Sequence, residues 1–395
     1  MKNKIIMLLT VMMLLSSIPV VGMETTSESA VTAENGEEEV LQLTIEEAVQ
    51  LAVENSWDIQ KLDRGIRDIN DVIDNQEDLQ DSMEKLLNLP LMFMPSDITN
   101  DFVNNLLVKR GYGVKSAEVQ RITLEETKKQ TLEALEIGAK SSYYQVLIAE
   151  KTLQLQEQLL KKAEQHKNIA AVKYENGVAT KLVKLQADSA YISAKSDYQD
   201  AEDTLNIKYL ELNNTLGLDF DQKVDLTTQV GYTPTEEINL EESIKSAFEN
   251  RSDIKKLKAE LELQQIETDT YKSYYTRGLQ QYKNAEEKIL EAEHAYDQSF
   301  KDVELDVRKK YLELVKAERS LNNMTESVAI ARESVRVSQL FYEYDLATLT
   351  DVIDAETGLS QAEIGRYQLL ISYNISKMMF ENACDVGLPS SQSSN

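Results

Sequence analysis

The sequence predicts an all-α protein: a two-fold internal repeat of long antiparallel coiled-coil helical hairpins, with little or no β-sheet. Three observations predict it. Chain breakers are scarce, with 13 glycines and 5 prolines in 395 residues, less than half their usual combined share of roughly 12%. Apolar and small residues recur at alternating steps of three and four over residues 132–174 and again over 303–342, the period of a supercoiled helical seam. The chain also matches itself in two registers.

In chain order, the first element is an address. Lys2 and Lys4 precede an apolar run from Ile5 to Val21, the pattern of an export signal over residues 1–22. Cleavage after Gly22 or after Ala33 fits the small-residue rule, and retention as an uncleaved anchor is the alternative. Residues 23–42 are polar and acidic and read as a flexible leader. Beyond them no apolar run approaches the roughly 20 residues that a membrane-spanning helix needs.

Residues 43–222 form the first repeat and 239–388 the second, joined by a linker over 223–238 and followed by a disordered tail over 389–395. At an offset of 195 residues, Glu46, Glu47, Ala52, Glu54, Asn55, Asp58, Ile59, Lys61 and Leu62 meet their own kind from Glu241 to Leu257. Thr44 and Asn239 each stand three residues before a carboxylate, so each copy is expected to open its first helix with a capping box. A second set, from Tyr143 to Ala187, meets Tyr311 to Ala355 at an offset of 168. The 27-residue difference places an insertion in the first copy at about residues 84–110. Opposite it, the second copy has only Tyr274-Tyr-Thr-Arg-Gly278, read as a tight turn with a left-handed glycine. The seams follow: Leu132, Leu135, Ala139, Ser142, Val146, Ala149 and onward to Tyr174, and Val303, Val307, Lys310, Leu314 and onward to Tyr342. Their many Ala and Ser residues favour close helix approach; an ordinary antiparallel coiled coil has the same pattern.

Composition excludes several functions. The formal charge of −26 repels phosphate, and nucleic acid is not an expected partner. One cysteine, Cys384, and two histidines, His166 and His294, cannot build a disulfide framework or a zinc site within one chain. Gly111-Tyr-Gly113 lacks the context of a phosphate loop and no nucleophile elbow is present, so neither an enzyme nor a cofactor is expected. The many Glu and Asp residues lie among lysines at helical spacing, as solvated faces do.

The chain resembles the TolC family of outer-membrane efflux ducts over nearly all of residues 43–388. The likeness rests on the two-fold repeat, the opening Leu43-Thr-Ile-Glu-Glu-Ala48 after an export signal, the Tyr-x-x-Gly type of hairpin turn at Tyr174–Gly177, Thr350-Asp-Val-Ile-Asp-Ala355, and the ending Leu216-Gly-Leu218. The resemblance implies a homotrimeric helical tunnel in the cell envelope, working with a periplasmic adaptor and an inner-membrane pump. It also implies that Asp351 and Asp354 ring a narrow aperture, with Tyr342 as the turn tyrosine. The alternative is that both carboxylates only cap and charge the first turn of the last helix.

Asp345 stands where the family has a turn glycine, Ala347 where an aperture arginine is expected, and Val183 where the family's first copy carries an acid. The family's membrane strands, a pair in each copy, have no counterpart in the insertion or at Gly278. Within the insertion, Leu86, Leu87, Leu89, Leu91, Met92, Phe93 and Met94 form an apolar patch that Pro90 and Pro95 keep from continuing as helix. It reads either as a local cap or as a docking tip that touches a membrane surface or an outer partner. Two functions follow: a duct passing solutes, or an exported coiled-coil scaffold without a pore.

Overall fold

The computed structural model describes residues 40–95, 98, 101–235 and 238–388. The export signal, all but the last residues of the leader and the tail after 388 lie outside the described residues. Two short strands, β1 (Leu41–Leu43) and β2 (Val224–Leu226), pair in parallel, Leu41 opposite Val224 and Leu43 opposite Leu226. Leu41 and Gln42, taken with the leader on sequence, thus belong to a strand. The rest is helix and connection: α1 (Ile45–Glu54), α2 (Trp57–Leu87), α3 (Phe102–Lys109), α4 (Tyr112–Glu175) and α5 (Lys181–Leu216) in the first copy. The second copy has α6 (Leu240–Asn250), α7 (Ser252–Tyr274), α8 (Gln280–Glu343) and α9 (Leu349–Ala383).

The copies match closely in length. Helices α4 and α8 each have 64 residues, roughly 96 Å at 1.5 Å per residue. Helices α5 and α9 have 36 and 35. The insertion lengthens α2 to 31 residues against 23 in α7 and adds α3. Gly278 is not left-handed, contrary to the expected turn: the α7–α8 connection closes with Tyr275 and Leu279 extended. The first capping box forms in full, Thr44 and Glu47 bonding reciprocally. The second is one-sided, Asn239 accepting from the Glu242 amide.

Each long helix is packed on both halves of its length. Helix α2 lies along α4 and α7 along α8 at one end; α5 returns along α4 and α9 along α8 at the other. The copies join where α4 packs against both α7 and α9. The seams are the packed faces. Ala139, Val146, Ala149, Ala163 and Ala170 are buried in the first, and Val303, Val307, Leu314, Leu321, Val328 and Val335 in the second. Tyr174 alone among the seam residues is exposed.

Two apolar cores hold the chain near its middle. One gathers Leu43, Ala48, Tyr143, Val146, Leu212 and Leu216; the other gathers Ile244, Val307, Leu314, Leu370, Tyr373 and Phe380. Two buried tyrosines fasten the linker. Tyr143 Oη donates to the Leu43 carbonyl at 2.9 Å and accepts from the Thr228 amide at 3.0 Å. Tyr373 Oη donates to the Thr233 carbonyl at 2.8 Å. Tyr143→Phe keeps the ring but strands the Thr228 amide, while the Leu43 carbonyl keeps its Thr227 donors, so chemical denaturation is expected to register a loss of about 1–2 kcal/mol.

Candidate functional site

The two hairpin turns are superimposable in their chemistry. In the first, Gly177 takes φ 72° and the Val178 amide bonds back to the Lys173 carbonyl at 2.8 Å. In the second, Asp345 takes φ 58° and the Leu346 amide bonds back to Phe341 at 2.8 Å. The missing glycine therefore leaves the turn intact: an aspartate occupies the left-handed position that the geometry requires. Thr180 and Thr348 then cap α5 and α9, each hydroxyl accepting the amide three residues on, from Val183 and Asp351.

The difference between the copies lies in that third residue. Asp351 returns its carboxylate to the Thr348 hydroxyl and amide, both at 2.7 Å; Val183 has nothing to return. The Thr348 hydroxyl, then its amide, hold the Asp351 carboxyl below the usual range. The capping role anticipated for Asp351 is thus present in the structure. Asp354, one turn further, is exposed on the same helix. Tyr342 closes the end of α8, half-buried, with its hydroxyl 3.3 Å from Lys173 Nζ and its ring under the same ammonium.

The two tips pack side by side through Ala170, Ala187 and Leu349, flanked by Val183, Tyr342 and Ile353. One turn inward lies a polar node that the sequence reading missed. Glu356, 5% exposed, takes Gln339 Nε2 at 2.9 Å, His166 Nε2 at 3.2 Å and Lys162 at 3.3 Å. Burial raises its carboxyl, but the His166 bond and the Lys162 charge outweigh this and leave it below the ordinary value. The signal was there: Leu349, Val352, Glu356 and Ser360 share the buried register of α9, and a charge in such a register requires partners. The node ties α9 and α8 of the second hairpin to α4 of the first.

A folded-state pKa below the unfolded one stabilises above the unfolded value and is lost as pH falls through the folded one. Glu356→Gln is therefore expected to cost about 1–2 kcal/mol at neutral pH. The gap in thermal stability from the parent chain should close as pH drops below about 4.5, the ordinary glutamate value.

At the opposite end, the insertion divides in two. Helix α3 folds back on α2, α4 and α7 with Leu107 buried, as a local cap would. Leu89, Met92 and Phe93 are 40%, 84% and 66% exposed, Leu91 opens the 3-10 turn Leu91–Phe93, and Met94 is half-buried. Among the described residues no strand lies between α2 and α4 or between α7 and α8.

This arrangement of two matched hairpins on two 64-residue helices has counterparts among solved structures. The outer membrane protein VceC of Vibrio cholerae superimposes with a TM-score of 0.66 at 11% identity, over 87% of this chain and 97% of VceC. The fold is that of the TolC-type outer membrane channels. The CmeC outer membrane channel of Campylobacter jejuni gives 0.67 at 12% identity, over 95% and 96% of the two chains. The open-state MtrE channel of Neisseria gonorrhoeae gives 0.59 at 13%, over 94% and 98%. No family model and no curated protein matches the sequence. The resemblance read from motifs therefore rests on shared fold.

Among the described residues no cluster of three or more metal-ligating side chains forms, and no helix is long and apolar enough to cross a membrane. His294 is exposed on α8. Burial pushes the Cys384 thiol up to about 11, which keeps it protonated and unreactive near neutral pH.

Proposed function

We propose that this chain is the subunit of a homotrimeric helical duct in the cell envelope, which passes solutes in an efflux or secretion assembly. The observation that carries this reading is the pair of matched hairpins. Their inner faces meet each other, while Val172, Val178, Leu182, Leu185 and Ile192 on the first and Ile330 and Leu346 on the second are left exposed. Apolar stripes on long helices are stable in water when neighbouring copies close over them. A periplasmic adaptor and an inner-membrane pump are the partners that the fold's relatives suggest.

In such a ring, Asp351 and Asp354 of three copies gather at one constriction. Asp354 is the freer of the two carboxylates to meet a solute, because Asp351 is tied to Thr348 while keeping its charge. The alternative is an exported coiled-coil scaffold without a pore, which the helical insertion favours: the channel reading needs a route across the outer membrane that α3 does not supply. Asp354→Cys in a Cys384→Ser background separates the two. Mild oxidation is expected to give a covalent dimer beside leftover monomer, since three thiols at one constriction pair only once. A scaffold whose tips stand apart gives monomer alone.

A further inference from the structure

We propose that the two hairpin tips carry opposite charge so that copies of this chain close head to tail, the α5 edge of one copy on the α8 edge of the next. This rests on the duct reading and names the faces that close the ring.

Toward the turns the helices lie in the order α5, α4, α9, α8: α4 packs on α5 and on α9, and α9 packs on α8. Helices α5 and α8 are thus the two edges of the layer. Each leaves apolar side chains exposed, Leu182, Leu185 and Ile192 on α5 and Ile330, Leu340 and Phe341 on α8.

Charge tells the edges apart. Windows of equal length around the matched turns, residues 160–196 and 328–364, differ in sign. The first holds seven lysines against three carboxylates, the second seven carboxylates against two arginines. The sign is the same for the edge helix alone. On α5, Lys181, Lys184 and Lys195 outnumber Asp188. The next carboxylates along it, Asp197 and Asp200, line clefts shared with α4 and α9 and so stand off the outer edge. On α8, Arg332 is bonded to Glu363 of α9 at 2.9 Å and Arg336 to Glu333 at 2.7 Å. Lys181 and Lys195 on one edge, and Glu326 and Glu343 on the other, are exposed, and no described ion pair engages them.

These signs select a second copy and its orientation. A two-fold contact, α5 on α5 or α8 on α8, sets like charges against each other. A contact of α5 on α8 sets lysines against glutamates and covers both stripes. Such a head-to-tail contact generates a ring when its rotation closes. The same rule of sign operates within the chain, where Lys162 on α4 meets Glu356 on α9 at 3.3 Å. In the ring, each cationic hairpin stands between two anionic ones.

Two charge reversals and their combination test this, by light scattering of the full chain across a dilution series in low salt. Lys181→Glu/Lys195→Glu and Glu326→Lys/Glu343→Lys should each weaken association roughly tenfold, and high salt should remove the difference. The chain with all four changes has its signs exchanged between the edges and should associate as the parent does. That recovery also shows that the fold tolerates the changes. Association indifferent to the reversals, or weakened without recovery when all four are combined, overturns the pairing and assigns the stripes to another occupant. A parent chain that stays monomeric in this series overturns the duct reading as well, so failure of the pairing alone is distinguishable from failure of both.

Discussion

Arg251→Ala is expected to produce the largest loss of stability of any single substitution considered, about 2–3 kcal/mol. Arg251 sits between α6 and α7, its side chain 8% exposed. It bonds Asp253 at 2.8 Å, Asp306 on α8 at 2.7 Å and the Ala383 carbonyl at the end of α9 at 3.3 Å. Burial lowers the guanidinium's pKa, but Asp253 and Asp306 outweigh it and the group is held firmly charged. Removing it leaves two carboxylates without a counter-charge and a carbonyl without a donor. Both aspartates keep contact with solvent, 40% and 38% exposed, which places the cost below that of a fully buried pair. Gly387, at φ 74°, packs so close to Arg251 that a Cβ there would lie 2.5 Å from the guanidinium. Loss of the arginine therefore also loosens the end of the second repeat. Urea denaturation of the parent and the variant measures it.

The second large effect concerns assembly. Leu185 and Ile192 stand seven residues apart on the outer face of α5, 53% and 68% exposed. In the double variant Leu185→Glu/Ile192→Glu both altered side chains are more than half exposed, so helical content and melting should stay near those of the parent. Association should weaken by at least a hundredfold, because two apolar side chains of roughly 1.5–3 kcal/mol each leave the interface and two charges enter it. Light scattering across a dilution series reads this directly. Unchanged assembly would mean that another face closes the ring.

Much of this was legible in the residues. The seams and the 168-residue offset gave the hairpins and their matched lengths, because a period of three and four is a local signal. The alignment with Gly177 marked Asp345 as a departure, and only the structure shows that it takes the left-handed position all the same. The Glu356 node and the Arg251 cluster were not legible. Their partners come from helices 17 to 194 residues apart for Glu356 and up to 132 for Arg251, and pairings of that kind depend on the relative rotation of helices that no local pattern encodes. The β1–β2 pair was missed because three-residue strands carry too little alternation to separate from a polar leader and a linker. At the insertion, the sequence left cap and docking tip as alternatives; α3 packs back on its neighbours, while Leu89, Met92 and Phe93 stay exposed.

Sedimentation velocity of the full chain at tens of micromolar tests the central claim most directly. A duct subunit whose exposed stripes are covered by its own copies sediments as a particle of three chains, and the Leu185→Glu/Ile192→Glu chain sediments as one. A parent chain that runs as a clean monomer at that concentration contradicts the duct.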